Sequence, residues 1–324
     1  MISVVDNRKA LLADWLQEKT PFQGGSLSIA SADASFRRYF RLVHQDQSYI
    51  VMDAPPDLEP SLPFVQIGRW MKQSAIQVPE IFAQDLQLGF LVLSDFGDLH
   101  YQDAIKGPNR ESLYQSAIAE IIKFQKSLTD SEEKLPLFDQ EWQKKELDIF
   151  REWCLPGVPD SEYLHCTQTL IEQVDQIPKA FMHRDFHCRN LLLCPNEQVG
   201  IIDFQGAMHG PITYDLVSLL RDCYVDNDEN WIMQTTLQFQ DSLLSSNLEY
   251  ARVETDEFIR WLDFTGLQRH LKCIGIFHRL HIRDQKPDYM KEVPRVIKYI
   301  NTVLDRNPLL QDLKELFNRA KILT

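Results

Sequence analysis

Near Phe96-Gly97-Asp98 the chain changes from strand patterning to helix patterning, and this change limits the folds open to it. Upstream, residues 26–30, 37–43 and 48–54 are short β-rich runs separated by polar turns, which predicts an antiparallel meander. An amphipathic helix precedes them, with Leu11, Leu12, Trp15 and Leu16 recurring at helical spacing behind Asp6. Pro55, Pro56, Pro60 and Pro63 end the meander, and a helix over 64–73 with strands over 78–84 and 89–94 completes a small sheet region. Downstream, helical periodicity runs over 110–128, 140–153, 161–176, 214–224, 231–245, 256–283, 289–305 and 309–320. The expected fold class is α+β, with a sheet-rich first part over 1–96 and a larger, mostly helical part over 97–324.

One polar stretch interrupts the helices and carries the chemistry. Phe181-Met182-His183-Arg184-Asp185-Phe186-His187-Cys188-Arg189-Asn190 leads into an apolar run at 191–194, and a second apolar run, 200–204, contains Asp203. Asp185 and Asn190 are five residues apart, and Asp203 follows Asp185 by 203 − 185 = 18. Phosphoryl transfer from ATP needs this set: a carboxylate to orient and deprotonate the attacking hydroxyl, and an amide oxygen with a second carboxylate to hold Mg²⁺ against the phosphates. Because that chemistry is mostly positioning and charge neutralisation, the three side chains must converge.

His183-Arg184-Asp185 with Asn190 resembles the catalytic loop of protein kinases, and Asp203-Phe204 stands where their D-F-G begins. The form His-x-Asp-x-His, completed by His187, is closer to the aminoglycoside phosphotransferase and choline kinase superfamily, whose members phosphorylate small molecules. Further stretches, Asp33-Ala34-Ser35-Phe36-Arg37-Arg38-Tyr39-Phe40-Arg41, Val51-Met52-Asp53-Ala54-Pro55-Pro56 and Gly210-Pro211-Ile212-Thr213-Tyr214-Asp215, are similar to the bacterial anomeric amino-sugar kinases, the N-acetylmuramate/N-acetylglucosamine 1-kinases of peptidoglycan recycling. The resemblance covers nearly the whole chain. It implies a protein-kinase-like bilobal fold, Asp185 as catalytic base, Asn190 and Asp203 as Mg²⁺ ligands, ATP as cofactor, and a sugar 1-phosphate as product.

Two departures from the kinase pattern bear on nucleotide binding. The loop Ala32-Asp33-Ala34-Ser35-Phe36-Arg37 stands where a glycine-rich loop would lie and contains no glycine, leaving Ser35, Phe36 and backbone donors to approach phosphates. Met52 occupies the strand position of the usual phosphate-binding lysine, and a thioether cannot neutralise phosphate. Period-two alternation places Arg37 and Arg41 on one face of the neighbouring strand, and the forked guanidinium makes either a replacement; three solvated arginines on an edge strand are the bland alternative. Ser94, Asp95 and Phe96 are the expected hinge that holds adenine. His183 and His187 brace the loop or touch substrate, Asp215 either bonds the loop or caps a helix, and Arg221, Asp222 and Tyr224 are candidates for the acceptor side.

Charge excludes whole classes of partner. Lys+Arg 34 against Asp+Glu 47 leaves −13, so no overall basic surface exists for a nucleic-acid backbone or an anionic membrane. No run approaches the about 18 apolar residues of a membrane span, and Met1–Asp6 shows no basic-then-apolar leader, so a cytoplasmic protein is expected. Cys154, Cys166, Cys188, Cys194, Cys223 and Cys273 form no C-x-x-C pair and read as buried or idle thiols. From 222 to 263 there are ten acids and two bases, and from 264 to 324 twelve bases and six acids; solvated faces, or an acidic rim for a polar substrate, are the alternatives. Three functional readings follow: a kinase of a small hydroxylated substrate such as an amino sugar, choline or an aminoglycoside; a nucleotide-binding pseudoenzyme, suggested by Met52; and a metal-dependent hydrolase using His183, Asp185 and His187.

Overall fold

The computed structural model describes residues 7–31, 36–128, 135–195 and 197–322. The chain divides into two compact units, Met1–Leu99 with Leu192–Gln205, and His100–Leu191 with Gly206–Thr324. The small antiparallel sheet followed by a mostly helical remainder is the expected fold class.

The first unit is built on a five-stranded sheet in the order β1-β2-β3-β5-β4, with β1 (Ser26–Ser31), β2 (Arg38–His44), β3 (Gln47–Asp53), β4 (Ile81–Asp85) and β5 (Phe90–Ser94). All its pairings are antiparallel. Gln45 and Asp46, both with positive φ (50° and 62°), close the β2–β3 hairpin as the two-residue turn that suits strand twist. Alternation then sorts the faces. Phe40, Val51 and Val92 are register neighbours, and with Leu42 and Phe90 they pack against Leu12, Trp15 and Leu16 of α1 (Asn7–Lys19). Tyr39, Met52 and Leu91 neighbour one another on the opposite face. At Gly89 (φ +76°) a Cβ would run into the Ala54 carbonyl, so the β3–β5 crossing requires glycine there. β4 begins at Ile81, later than the expected 78, because Pro79 has no N–H to give a ladder.

The hairpin of β7 (Leu191–Leu193) and β8 (Val199–Ile201) packs with this first unit, whereas a division at residue 96 would group it with the helices. Leu193 N–H donates to Leu99 O (2.8 Å) and Ile201 N–H to Gln77 O (2.9 Å). Phe204 stacks on Phe64 at 4.7 Å and abuts Gly68, both residues of α2 (Leu62–Gln73).

The second unit contains α3 (Tyr101–Ala104), α4 (Arg110–Ser127), α5 (Gln140–Cys154), α6 (Asp160–Gln176), α7 (Tyr214–Leu220), α8 (Glu229–Ser245), α9 (Thr255–Ile282), α10 (Val293–Arg306) and α11 (Gln311–Arg319). α9 is its axis: Phe264, Leu267, Leu271, Ile274 and Phe277 join Leu147 and Phe150 of α5 in one core. A Cβ at Gly275 would lie 2.6 Å from Phe150 N, so only glycine lets these two helices approach so closely. A short pair, β6 (Lys179–Met182) with β9 (Met208–Pro211), was not expected; four residues are too few for alternation to register. α7 stops at Leu220 rather than 224, because Asn227 Nδ2 takes the Leu220 carbonyl (2.7 Å) and Arg221 leaves helical geometry. The uneven charge has an internal use. Asp263, 1% exposed, accepts from Arg221 (3.0 Å), Arg306 and Asn307, and Asp226 pairs with Lys298 at 3.6 Å, so acids of one stretch hold bases of the next.

Candidate active site

In the second unit, residues 183–190 form the loop between β6 and β7, and two buried carboxylates fix its ends. Asp215, in the first turn of α7, accepts His183 N–H at 2.7 Å and Arg184 N–H at 3.0 Å. Asp222 accepts Cys188 N–H at 2.9 Å and Tyr224 N–H at 2.8 Å. Between these anchors Arg184 holds a left-handed φ of 76°, a conformation a non-glycine residue keeps only when its surroundings enforce it. Enforcement also comes from its side chain, which donates to Glu146 Oε1 (2.5 Å) and lies over the Trp142 ring.

Within the loop, Asp185 N–H donates to His183 Nδ1 (3.3 Å), and the Asp185 carbonyl accepts from His187 N–H (3.0 Å) and Asn190 Nδ2 (3.0 Å). The Asn190 amide nitrogen is thereby held by the loop. His183 is buried against Phe186, and His187 packs on Tyr224 at 5.3 Å. Burial pushes the Asp185 carboxyl up, but the charges of Lys272, His187, Arg184 and Arg269 outweigh it and hold Asp185 well below the usual carboxylate range. Asp185 is therefore ionised at neutral pH and able to accept a proton. Burial lowers His187, consistent with a neutral bracing imidazole.

Asp215 differs. Burial, partly opposed by its two N–H donors, pushes it up to about 7 from 3.8. A carboxyl raised on folding contributes stability that is fully present below its ordinary value and lost as pH rises through about 7. Function runs the other way, since a proton on Asp215 occupies an oxygen that accepts a loop N–H. Turnover is expected to fall as pH drops through about 7. Asp215→Asn, with a single acceptor oxygen, is expected to lose about 10–100-fold in kcat and to flatten that acid limb; a pH–rate profile unchanged in the variant would refute the assignment.

In the first unit, Asp203 follows β8 with φ 65°, and Gln205 Nε2 donates to its Oδ1 at 2.6 Å. Met52 is buried in the sheet. Arg37 pairs with Glu59 at 2.8 Å and is nearly buried. Arg41 is held between Asp95 (2.7 Å) and Asp98 (2.7 Å). A guanidinium flanked by two carboxylates presents no net positive charge to a polyphosphate, so of the two candidate replacements Arg37 fits better. Arg38, set aside in the sequence reading, clamps the buried Asp53 together with Arg8. Ser94 exchanges hydrogen bonds with Glu80 (both 2.9 Å), and Asp95 also accepts from Ser48 (2.5 Å) and Gly97 N–H (2.9 Å). Phe36 is 64% exposed; Ser35 lies outside the described residues. Arg221 is buried and gives its terminal nitrogens to Asp263 and Glu229, which places it in the helical ion network rather than at the surface.

Residues the sequence reading missed stand behind the loop. Glu146 on α5 accepts from Arg184, from Gln268 Nε2 (3.0 Å) and from Trp142 Nε1 (3.2 Å), and pairs with Lys272 at 3.1 Å. The available signal was a glutamate on the same helix face as Leu147 and Phe150, and charges at 269 and 272 inside an otherwise uncharged stretch of α9.

Residues 26–252 match the Phosphotransferase enzyme family. The chain is 39% identical over 305 residues to a Pseudomonas putida protein named N-acetylmuramate/N-acetylglucosamine kinase, covering 90% of this chain and 87% of that one. A Neisseria meningitidis serogroup B protein of the same name is 36% identical, covering 92% of each. Among solved structures, a putative aminoglycoside phosphotransferase from Ralstonia eutropha superposes with a TM-score of 0.64 at 12% identity, covering 94% of this chain and 98% of that one.

Proposed function

Because the chain belongs to the phosphotransferase enzyme family, we propose that it transfers the terminal phosphoryl group of ATP to the anomeric hydroxyl of N-acetylmuramate or N-acetylglucosamine. The observation that carries this reading is that identity to kinases named for those two sugars extends over about nine-tenths of the chain, and so through both units. The ionised, half-buried Asp185 accepts the hydroxyl proton as that oxygen bonds to the terminal phosphorus; the bond to the leaving ADP oxygen breaks, giving a sugar 1-phosphate. Asn190 and Asp203 supply hard oxygen donors of the kind Mg²⁺ takes beside phosphates. Mg²⁺ held there with ATP would supply neutralisation of the phosphate charge. Asp215 and Asp222 position the loop. Since Ser94 already exchanges hydrogen bonds with Glu80, adenine is received by the backbone of Asp95 and Phe96. Arg37, paired with Glu59, takes the phosphate contact that Met52 cannot make.

An ADP-release assay with Mg²⁺-ATP against N-acetylmuramate, N-acetylglucosamine, choline and an aminoglycoside tests this. Turnover with the two sugars is expected. ATP binding with turnover of none would favour the second reading, a nucleotide-binding pseudoenzyme, for which the buried Met52 is the specific observation. Arg37→Ala is expected to raise KM for ATP about 10-fold; an unchanged KM assigns the phosphate contact elsewhere. No helix among the described residues is long and apolar enough to cross a membrane, and the proposed partners are small molecules.

A further inference from the structure

Arg269 of α9 is a buried cation that makes no ion pair with a carboxylate among the described residues. Its residue is 2% exposed, yet among the described residues no carboxylate comes within ion-pair distance; Nη1 donates to the Cys223 sulfur at 3.6 Å, and Nε has no acceptor. Thiol sulfur is a weak acceptor, so although the surrounding charges, Asp185 among them, offset the burial of this guanidinium, its forked donors meet no carboxylate in direct contact. Its neighbours on the helix are not in this position: Lys272 pairs with Glu146, and Gln268 donates to it.

The surroundings place Arg269 beside the catalytic loop. Cys223 directly follows Asp222, which holds the Cys188 end of that loop, and Glu146, reached by the residues flanking Arg269, holds Arg184. The charge of Arg269 also acts on Asp185 and His187 without touching either. An anion received by Arg269 would therefore lie a short way from the hydroxyl that Asp185 deprotonates.

The two sugars of the proposed function differ by such a group. N-acetylmuramate is N-acetylglucosamine with a lactyl ether on its 3-hydroxyl, which sets a carboxylate near one side of the ring while the anomeric oxygen lies at another. Resting on the proposed function, we infer that Arg269 is a specificity residue that receives the lactyl carboxylate, forming the forked ion pair the fold itself does not provide.

Arg269→Gln is expected to lower kcat/KM for N-acetylmuramate about 100-fold more than for N-acetylglucosamine, any loss shared by the two sugars reflecting the charge removed from near Asp185. Equal losses on both sugars, or no loss on either, would overturn the inference. The unaltered protein allows the same comparison from the substrate side: the methyl ester of N-acetylmuramate should be phosphorylated about 100-fold less efficiently than the acid, and equal efficiency refutes the carboxylate contact. If the unaltered protein phosphorylates neither sugar, the proposed reaction fails. Calorimetry then still decides the present point: tighter binding of N-acetylmuramate than N-acetylglucosamine, lost in Arg269→Gln, supports it, and equal affinities overturn it.

Discussion

Asp185→Asn is expected to lower kcat for sugar phosphorylation by about 10²–10⁴-fold while leaving ATP affinity within about twofold. In the proposed mechanism the substitution removes the proton acceptor and its charge while sparing the loop's backbone bonds. The loop bonds of residue 185 run through its backbone, to His183 Nδ1, His187 N–H and Asn190 Nδ2, and an isosteric amide leaves them in place. The charge change has a separate signature. Lys272, His187, Arg184 and Arg269 hold the Asp185 carboxyl below its ordinary 3.8 against the effect of burial, so its stabilising contribution is present above that value and is lost as pH falls through the lower folded one. The asparagine variant should melt lower than the parent at neutral pH, and the gap should close in acid. Turnover retained within tenfold would mean that another group takes the proton, and the base would have to be sought outside the loop.

How far the sequence predicted these features depends on the range over which each residue acts. The loop holding Asp185 and Asn190 was readable because its polar residues interrupt the helical patterning, and β2, β3 and β5 because each is a β-prone run of five to seven residues. Asp215 was readable only as one of two alternatives, since a helix cap and a loop anchor look alike until His183 N–H is found 2.7 Å from its oxygen across a separation of 32. Arg41 shows the converse. Its place on β2 suggested a phosphate contact, but Asp95 and Asp98, 54 and 57 residues away, neutralise it. Arg38 looked like a solvated edge residue because its partner Asp53 becomes a buried carboxylate only when α1 covers that face of the sheet and brings Arg8 with it.

Glu146 is the strongest case of a long-range role, and removing it should have the largest effect on stability. Four groups converge on one buried carboxylate: Trp142 one turn earlier on the same helix, Arg184, 38 residues on, Gln268, 122 residues on, and Lys272 at 3.1 Å. Glu146→Leu keeps the volume but strands two cations near Asp185, a change expected to cost about 3–5 kcal/mol. At about 2–4 °C per kcal/mol for a unit of this size, the melting temperature should fall by roughly 10 °C. The pH dependence has a definite sign. Burial pushes the Glu146 carboxyl up, but Lys272 and Arg184 more than offset this and hold it below the usual 4.5, so its contribution is present above that value and lost as pH falls through the lower one. The leucine variant should therefore lack that part of the acid-side loss of stability. Adding Lys272→Met should recover part of the stability lost, because removing both members of a buried pair costs far less than removing one. Activity should not recover with it, since Arg184, at φ 76°, still lacks the carboxylate that anchors its side chain. If the single variant melted like the parent, or the double variant regained turnover, Glu146 would be a packing residue and Arg184 would be held by Asp215, Gly206 O and Trp142.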